Sequence, residues 1–427
     1  MSKLKVAVLF GGKTCEHDVS IISGIQALNA LDTSKYDAFP VYLDRDGAWF
    51  IGDALRNINF YRNFQRVYAD HVLPSGENGK LVLRAWPGEK KVFFAKNCDK
   101  LAEADVVVPV MHGLNGEDGT LQGMLEMFGV PYTSAGVLGC ALGMDKIAMK
   151  TYFRGCGFPV LESEWLDRAE WAADREKVMD RLEKKLPYPM YVKPANLGSS
   201  IGISRAKDRA SLAEALDVAA AYDRRILVER GVKNRLEVNC SVLGYAGYVR
   251  ASVLEMPEQV MDGILDFATK YLKNAHQGGS KGMTSLARQI PAPIGDELTE
   301  KIRDLSVRVF REMDMKGVVR IDYIIDADTN EFYICEANTI PGSLSFYLWE
   351  PMGLPYAKML DEMIVYAQRD RAEREASRFS YDSTILNQQG GGSKGGKLGG
   401  GKLGGMPSGA KFGGGKLGAS FPGGTKR

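Results

Sequence analysis

Arg320, Asp322, Glu336 and Asn338 lie within VVRIDYIIDADTNEFYICEANTIPG, residues 318–342. Two short runs rich in β-branched and aromatic residues flank a polar turn, the pattern of a β-hairpin. Side chains alternate faces along a strand, so Arg320 and Asp322 share one face, as do Glu336 and Asn338. A turn centred on Thr329 sets Asp322 opposite Glu336. Like charges directly opposite each other are destabilising, and a hard divalent cation, which takes oxygen ligands, resolves the conflict. The plain alternative is a solvated hairpin face. The Asn two residues after Glu336 and the Thr-Ile-Pro-Gly that follows it favour the metal site.

Three further clusters carry possible chemistry. Lys193 ends an apolar run and precedes the small, flexible loop 196–202, which contains Ser199 and Ser200. Such a loop can bring backbone amides to phosphate oxygens while Lys193 supplies a point charge, or it can be an ordinary turn, since GxxxxGK[ST] is absent. Lys270 and Tyr271 stand in the polar stretch 262–291, whose length suits an active-site lid or disorder. Glu16 and His17 follow the Gly11-Gly12 turn at a predicted helix start, where capping by Asp18 or Ser20 is the simpler role.

The elements that must position these residues follow from periodicity. Residues 5–10 form a compact apolar strand, then a glycine turn and a helix over 16–31, which together open a parallel α/β unit. A second buried strand spans 105–110 and ends at His112-Gly113, and strand ends followed by glycine-rich loops are where α/β sheets place ligands. Hairpin-like pieces are expected at 81–85 and 91–94, a linker at 131–142 and a helix carrying Lys146 after it. The pattern then predicts a helix within 165–186, a strand at 190–192, a helix at 207–222 and a strand at 225–229. Helices at 296–313 and 355–378 complete the pattern.

The chain has 427 residues and a net charge of +2, but seven Lys or Arg and no acid follow Ser383. Residues 390–427 repeat GGKLG and GAKFG, a composition that cannot bury enough surface to fold. This tail is expected to be disordered, either a linker or an electrostatic tether to an anionic surface or partner. The six cysteines lack CxxC spacing and read as reduced thiols rather than a disulfide frame or zinc site. No apolar run approaches the roughly 20 residues of a membrane span. The opening MSKLKVAVLFGG reads as a strand rather than a signal peptide. A cytoplasmic protein is expected.

VAVLFGG…EHDVS, MHGLNGEDGTLQGMLE, MDKIAMK, VKPANLGSSIG, DFATKY, VRIDY and EANTIPG, in this order, resemble the D-alanine–D-alanine ligases of the ATP-grasp superfamily over about residues 1–370. The resemblance implies an α/β, three-domain ATP-grasp fold followed by the Gly/Lys tail. Residues 1–134 would form an N-terminal substrate-binding domain. Residues 135–229 and 230–378, the latter with the lid 262–291, would be α+β domains gripping ATP, and 379–427 the tail. It implies ATP and two Mg²⁺ (or Mn²⁺) ions, with Asp322, Glu336 and Asn338 as metal ligands. It assigns Lys146 and Lys193 to the phosphates, Ser200 to the nucleotide, Glu229 to the adenine end and Glu237 to the ribose. Lys270 would reach the transferred phosphate, with Tyr271 closing over the site. Glu16, with Ser199 and Tyr271 as hydrogen-bonding partners, would hold the first D-alanine's ammonium, and His112 would lie beside its carboxylate. Arg320 and the Gly342 N–H would stabilise a tetrahedral oxyanion.

The implied reaction joins two D-alanines through an acylphosphate to make the dipeptide of peptidoglycan precursors, in a homodimer that binds small-molecule substrates. The sequence departs from the family pattern in four places, one of them the lid, which is longer and richer in Lys and Gly (Lys273, Lys281, Gly278, Gly279, Gly282). The segment before Glu237 is one residue longer, and Phe267 stands where Tyr is common. In SLSFYLWEP, Tyr347 occupies the position of a Ser that helps bind the second substrate, so Ser343 and Tyr347 are candidates for acceptor choice. D-Ser, D-lactate or another amine as acceptor, tail modification in cis, and a nucleotide-binding scaffold without turnover are the competing expectations.

Overall fold

Val6 to Phe10 have no exposed surface, and parallel strands covered on both faces read as continuous apolar runs. This run is the centre of β1 (Leu4–Gly11) in a computed structural model that describes residues 3–88, 98–257 and 288–378. Residues up to Ser377 belong to one unit and Arg378–Arg427 to another.

The first sheet adds β2 (Tyr36–Leu43), β3 (Trp49–Ile51), β4 (Asp70–Glu77), β5 (Lys80–Ala85), β6 (Lys100–Ala104) and β7 (Val106–Pro109), in the order β6-β5-β4-β3-β2-β1-β7. β1 runs parallel to β2 and β7, and the remaining pairs are antiparallel. α1 (His17–Ala30) covers one face, and α2 (Thr120–Phe128) packs on the other through Leu121 and Leu125. The glycine turn after β1 is there for close approach. A Cβ on Gly11 would fall 2.2 Å from the Leu43 carbonyl oxygen, and both Gly11 and Gly12 have positive φ.

α3 (Val137–Met144) and α4 (Lys146–Gly155) lead to the second sheet. That sheet contains β8 (Ser163–Asp167), β9 (Met190–Pro194), β10 (Ser204–Ala206) and β11 (Arg225–Arg230), ordered β10-β9-β11-β8. α5 (Arg168–Ala173), α6 (Arg175–Lys185) and α7 (Arg209–Tyr222) accompany it, and Trp171, Leu182 and Leu216 fill its core. A reciprocal Asp208–Ser211 capping box starts α7.

The third sheet is β12 (Arg235–Tyr245), β13 (Tyr248–Pro257), β14 (Arg288–Gln289), β15 (Gly317–Asp326) and β16 (Phe332–Asn338), ordered β14-β13-β12-β15-β16. α8 (Asp296–Glu312) packs Ile302, Leu305 and Val309 against its apolar face. α9 (Tyr356–Ala376) packs against the first sheet's core through Met359, Leu360 and Met363.

Several expectations are corrected. Residues 131–142 are not a linker: Tyr132 bridges Val107, and α3 begins at Val137. The helix expected within 165–186 is α6, and Trp165 itself lies in strand β8 ahead of it. Neither Asp18 nor Ser20 caps α1. Asp18 pairs with Arg45, while Ser20 Oγ accepts from Gly11 N at 2.8 Å and donates to Val110 O at 2.6 Å. Arg288 and Gln289 of the proposed lid form strand β14, and 262–287, with Lys270 and Tyr271, lie outside the described residues. So do 91–94 and the tail. Among the described residues, no helix is long and apolar enough to cross a membrane.

Candidate active site

On the polar face of the third sheet, register sets Glu255, Asn239, Asp322 and Glu336 opposite one another in a row across β13, β12, β15 and β16. The row depends on a bulge. Near the turn, Ile325 pairs with Phe332 and Tyr323 with Ile334, so strict alternation would send Glu336 into the core. One extra residue at Cys335 re-phases β16 and brings Glu336 opposite Asp322 and Asn338 opposite Arg320.

Arg320 Nε and Nη2 donate to the two Asp322 oxygens at 2.6 and 2.7 Å, and Asn338 Nδ2 donates to Oδ2 at 3.0 Å. Burial raises the Asp322 carboxyl above the usual range, and the Arg320 guanidinium opposes that shift. Lys146 lies 3.3 Å from Glu336 Oε2 and donates to Leu197 O at 2.8 Å. Asp145 fixes Lys146 at the first position of α4 by capping Ile147 N and Ala148 N. Leu197 belongs to the Gly/Ser loop, so one ammonium spans the loop and the carboxylate row. In that loop Ser199 and Ser200 take left-handed φ of 52° and 59°, and Asn196 is tied to Asp223 at 2.8 and 3.0 Å.

Below the loop, Glu229 sits between Lys150 and Lys193, forming ion pairs with both, and all three are buried. Burial works against the Glu229 charge, but the two ammonium groups outweigh it and hold the carboxyl down, at about 2. Lys193 Nζ also lies 3.8 Å from Cys335 Sγ, at the bulge.

The first sheet's helix and loops reach the same region. Glu16, at the start of α1, accepts a short hydrogen bond from Ser199 Oγ. His17 is structural: its ring nitrogens lie 2.7 Å from Gly12 O and 3.0 Å from Tyr42 Oη. Both ring nitrogens of His112 are also engaged. Nδ1 donates to Ile340 O at 2.7 Å, so in the neutral ring Nε2 accepts from Ser23 Oγ at 3.0 Å. Burial pushes the His112 pKa down to about 4, which keeps the ring neutral. Glu117 accepts from Gly113 N at 2.9 Å and Ile340 N at 2.8 Å, and burial with the nearby Glu16 charge pushes it up to about 8.

Beyond Gly342, residues Ser343, Leu344 and Ser345 all take φ near +50°. A left-handed non-glycine residue costs roughly 1–2 kcal/mol. Ser343 N donates to Ser23 Oγ at 3.0 Å. Tyr347 is buried and donates to Glu255 Oε1 at 2.9 Å, while Arg288 pairs with Glu255 Oε2 at 2.6 Å and stacks 4.3 Å over the Tyr347 ring.

The sheets therefore gather Glu16, Ser199, Lys146, Lys193, Arg320, Asp322, Glu336 and Asn338 around one face. Glu237 lies on that face too, since it is two residues from Asn239 on β12, but its carboxylate pairs with Arg235 at 3.0 Å. Sequence reading passed over Lys150, Ser23, Glu117 and Glu255. Lys150 is four residues after Lys146 and Ser23 seven after Glu16, spacings that put each on its partner's helix face. Glu117 and Glu255 carry no such local signal.

The donor set suits a hard cation. Among the described residues, no three His, Cys, Asp or Glu side chains form a metal site by themselves. Two carboxylates and an amide oxygen beside lysines fit the habit of Mg²⁺, which uses one or two carboxylates and completes its shell with water and phosphate.

Family models described as "D-ala D-ala ligase N-terminus" and "D-ala D-ala ligase C-terminus" match residues 5–135 and 152–365. The chain is 37% identical over 389 residues to a D-alanine–D-alanine ligase of Natranaerobius thermophilus, covering 89% of this chain and 100% of that protein. The solved D-alanine–D-alanine ligase of Coxiella burnetii superposes with a TM-score of 0.71 at 26% identity, over 88% of this chain and 97% of the other. A D-Ala:D-Ser ligase from Enterococcus faecalis superposes with a TM-score of 0.68 at 27% identity, over 86% and 100%.

Proposed function

The chain belongs to the D-alanine–D-alanine ligase family of the ATP-grasp superfamily, and from that premise we propose how its own residues carry the ATP-dependent joining of two D-alanines. The observation that carries the reading is the row Asp322–Glu336, flanked by Arg320 and Lys146 on one sheet face.

A carboxylate is a poor electrophile and must be activated. Glu16, steadied by Ser199, holds the ammonium of the first D-alanine. Lys146, Lys193 and the amides around Ser200 hold the phosphates of ATP, with Lys270 of the lid reaching the transferred phosphate and Tyr271 closing over the site. Glu229 positions Lys193, and the nucleotide's base and ribose lie toward Glu229 and Glu237. The first D-alanine's carboxylate attacks the γ-phosphorus, giving an acylphosphate and ADP. Asp322, Glu336 and Asn338 would hold two Mg²⁺ (or Mn²⁺), which neutralise phosphate charge. The deprotonated amine of the second D-alanine then attacks the acyl carbon and phosphate leaves. Arg320 and the Gly342 N–H stabilise the oxyanion. We place this activity in the cytoplasm, in a homodimer with domains 1–134, 135–229 and 230–378.

A second reading changes only the acceptor. It is favoured by Tyr347, whose hydroxyl is committed to Glu255 where the family usually offers a Ser. A coupled assay of ADP release over a panel of D-amino and D-hydroxy acids, with product mass, tests both. D-alanine-dependent ADP release with D-alanyl-D-alanine formed is the expected outcome. A stronger response to D-serine or D-lactate would move the function to that acceptor, and no D-alanine-dependent turnover would overturn the reading.

Gly198→Ala tests the donor site. A Cβ there would lie 2.5 Å from Glu16 Oε2, and the flexible carboxylate moves aside at little cost in stability. The expected result is a KM for D-alanine raised roughly tenfold or more, because small misplacements at a reacting centre are costly. An unchanged KM would detach Glu16 from donor binding.

A further inference from the structure

Three consecutive left-handed residues follow the metal hairpin, and none of them is glycine. Such a conformation persists only where its surroundings over-determine it. Here the grip comes from the first sheet's side of the molecule. Ile340 is held at both ends, its N–H by Glu117 and its carbonyl by His112. Ser23 takes the Ser343 N–H and completes the His112 ring. Ser23, His112 and Ser343 are all buried, so none of these partners can be replaced by water without rearrangement.

We propose that Ser23, backed by Glu117, is a positioning residue that holds residues 340–343 in register with the metal hairpin by gripping the backbone of Ser343. The inference rests on the ligase reading above. In that reading the Gly342 N–H, one residue before the gripped amide, faces the oxyanion of the second half-reaction. When the grip is lost, the acylphosphate still forms, but amine attack on it slows. Water then takes the acyl carbon instead, returning D-alanine and phosphate.

The test measures phosphate released per D-alanyl-D-alanine formed by the full chain with ATP, Mg²⁺ and D-alanine. The unaltered chain is expected to release one phosphate per dipeptide. Ser23→Ala should release several, with dipeptide formation falling at least about tenfold and the KM for ATP unchanged. Ser23→Thr, which keeps the hydroxyl, should return the ratio toward one. General destabilisation lowers both products together and leaves the ratio at one, so it does not imitate this result. If Ser23→Ala fails to fold, the isosteric Glu117→Gln carries the same readout, because its amide nitrogen would set a donor against one of the two N–H groups that both carboxyl oxygens accept. A ratio of one in folded Ser23→Ala, or in Glu117→Gln when Ser23→Ala does not fold, overturns the proposal. No D-alanine-dependent phosphate from the unaltered chain overturns the ligase reading, and this inference with it.

Discussion

Glu336→Gln is expected to lower D-alanine-dependent ADP release by at least about a hundredfold with little change in thermal stability, since metal-held charge neutralisation carries much of phosphoryl transfer. The side chain keeps its shape and loses only its charge. Asp322 already gives both oxygens to Arg320 and one of them also to Asn338. Glu336, with 27% of its side chain exposed, is the more open of the two facing carboxylates. Removing its charge also leaves the Lys146 ammonium, 3.3 Å away, without that counter-charge. The rate is read against Mg²⁺ concentration. A shift of the Mg²⁺ dependence to higher concentration supports the assignment, and a wild-type rate with an unshifted dependence would remove Glu336 from the metal set.

The second large effect is on stability. Glu229→Gln is expected to destabilise the fold by about 3–5 kcal/mol, because breaking a buried ion pair strands its partners. Lys150 and Lys193 would then face each other across a neutral amide in a site that Glu229 shares with less than a tenth of any of the three exposed. Adding Lys150→Met removes one stranded charge and should recover part of the loss. Denaturant unfolding of the single and double variants checks both statements, and a single variant as stable as the unaltered chain would show that the triad does not hold the fold. The same group sets an acid dependence. Its folded pKa, about 2, lies below its ordinary 4.5. The stabilisation is therefore complete above about pH 4.5 and is lost as pH falls from there through about 2. Glu229→Gln should flatten the stability profile in that window.

Much of the site was legible in one dimension. Lys146, Lys193, Arg320 and Asp322 lie on or beside short periodic elements, and the parity of a strand is a local property that two residues reveal. The apolar run in β1 was legible for the same reason. The pairing of Asp322 with Glu336 was also foreseen, but its cause was not. A turn centred on Thr329 would produce it, whereas the observed turn is half a residue earlier and the Cys335 bulge makes up the difference. The bulge at Cys335 had no local signature in this stretch, since it carries neither a glycine nor a proline there.

What lay beyond the sequence pattern involves partners far apart in the chain. Glu16 finds Ser199 183 residues away, and Ser343 finds Ser23 320 residues away. Helix and strand periodicity carry information over a few residues, so chemistry that depends on which face a residue occupies can be read from spacing alone. Which faces meet is decided by the packing of three sheets around shared cores. That is why the carboxylates and lysines of the hairpin and loop could be named from the chain, while the grip of Ser23 and Glu117 on the hairpin's end, and the Lys150–Glu229–Lys193 triad beneath it, emerged only from the folded molecule.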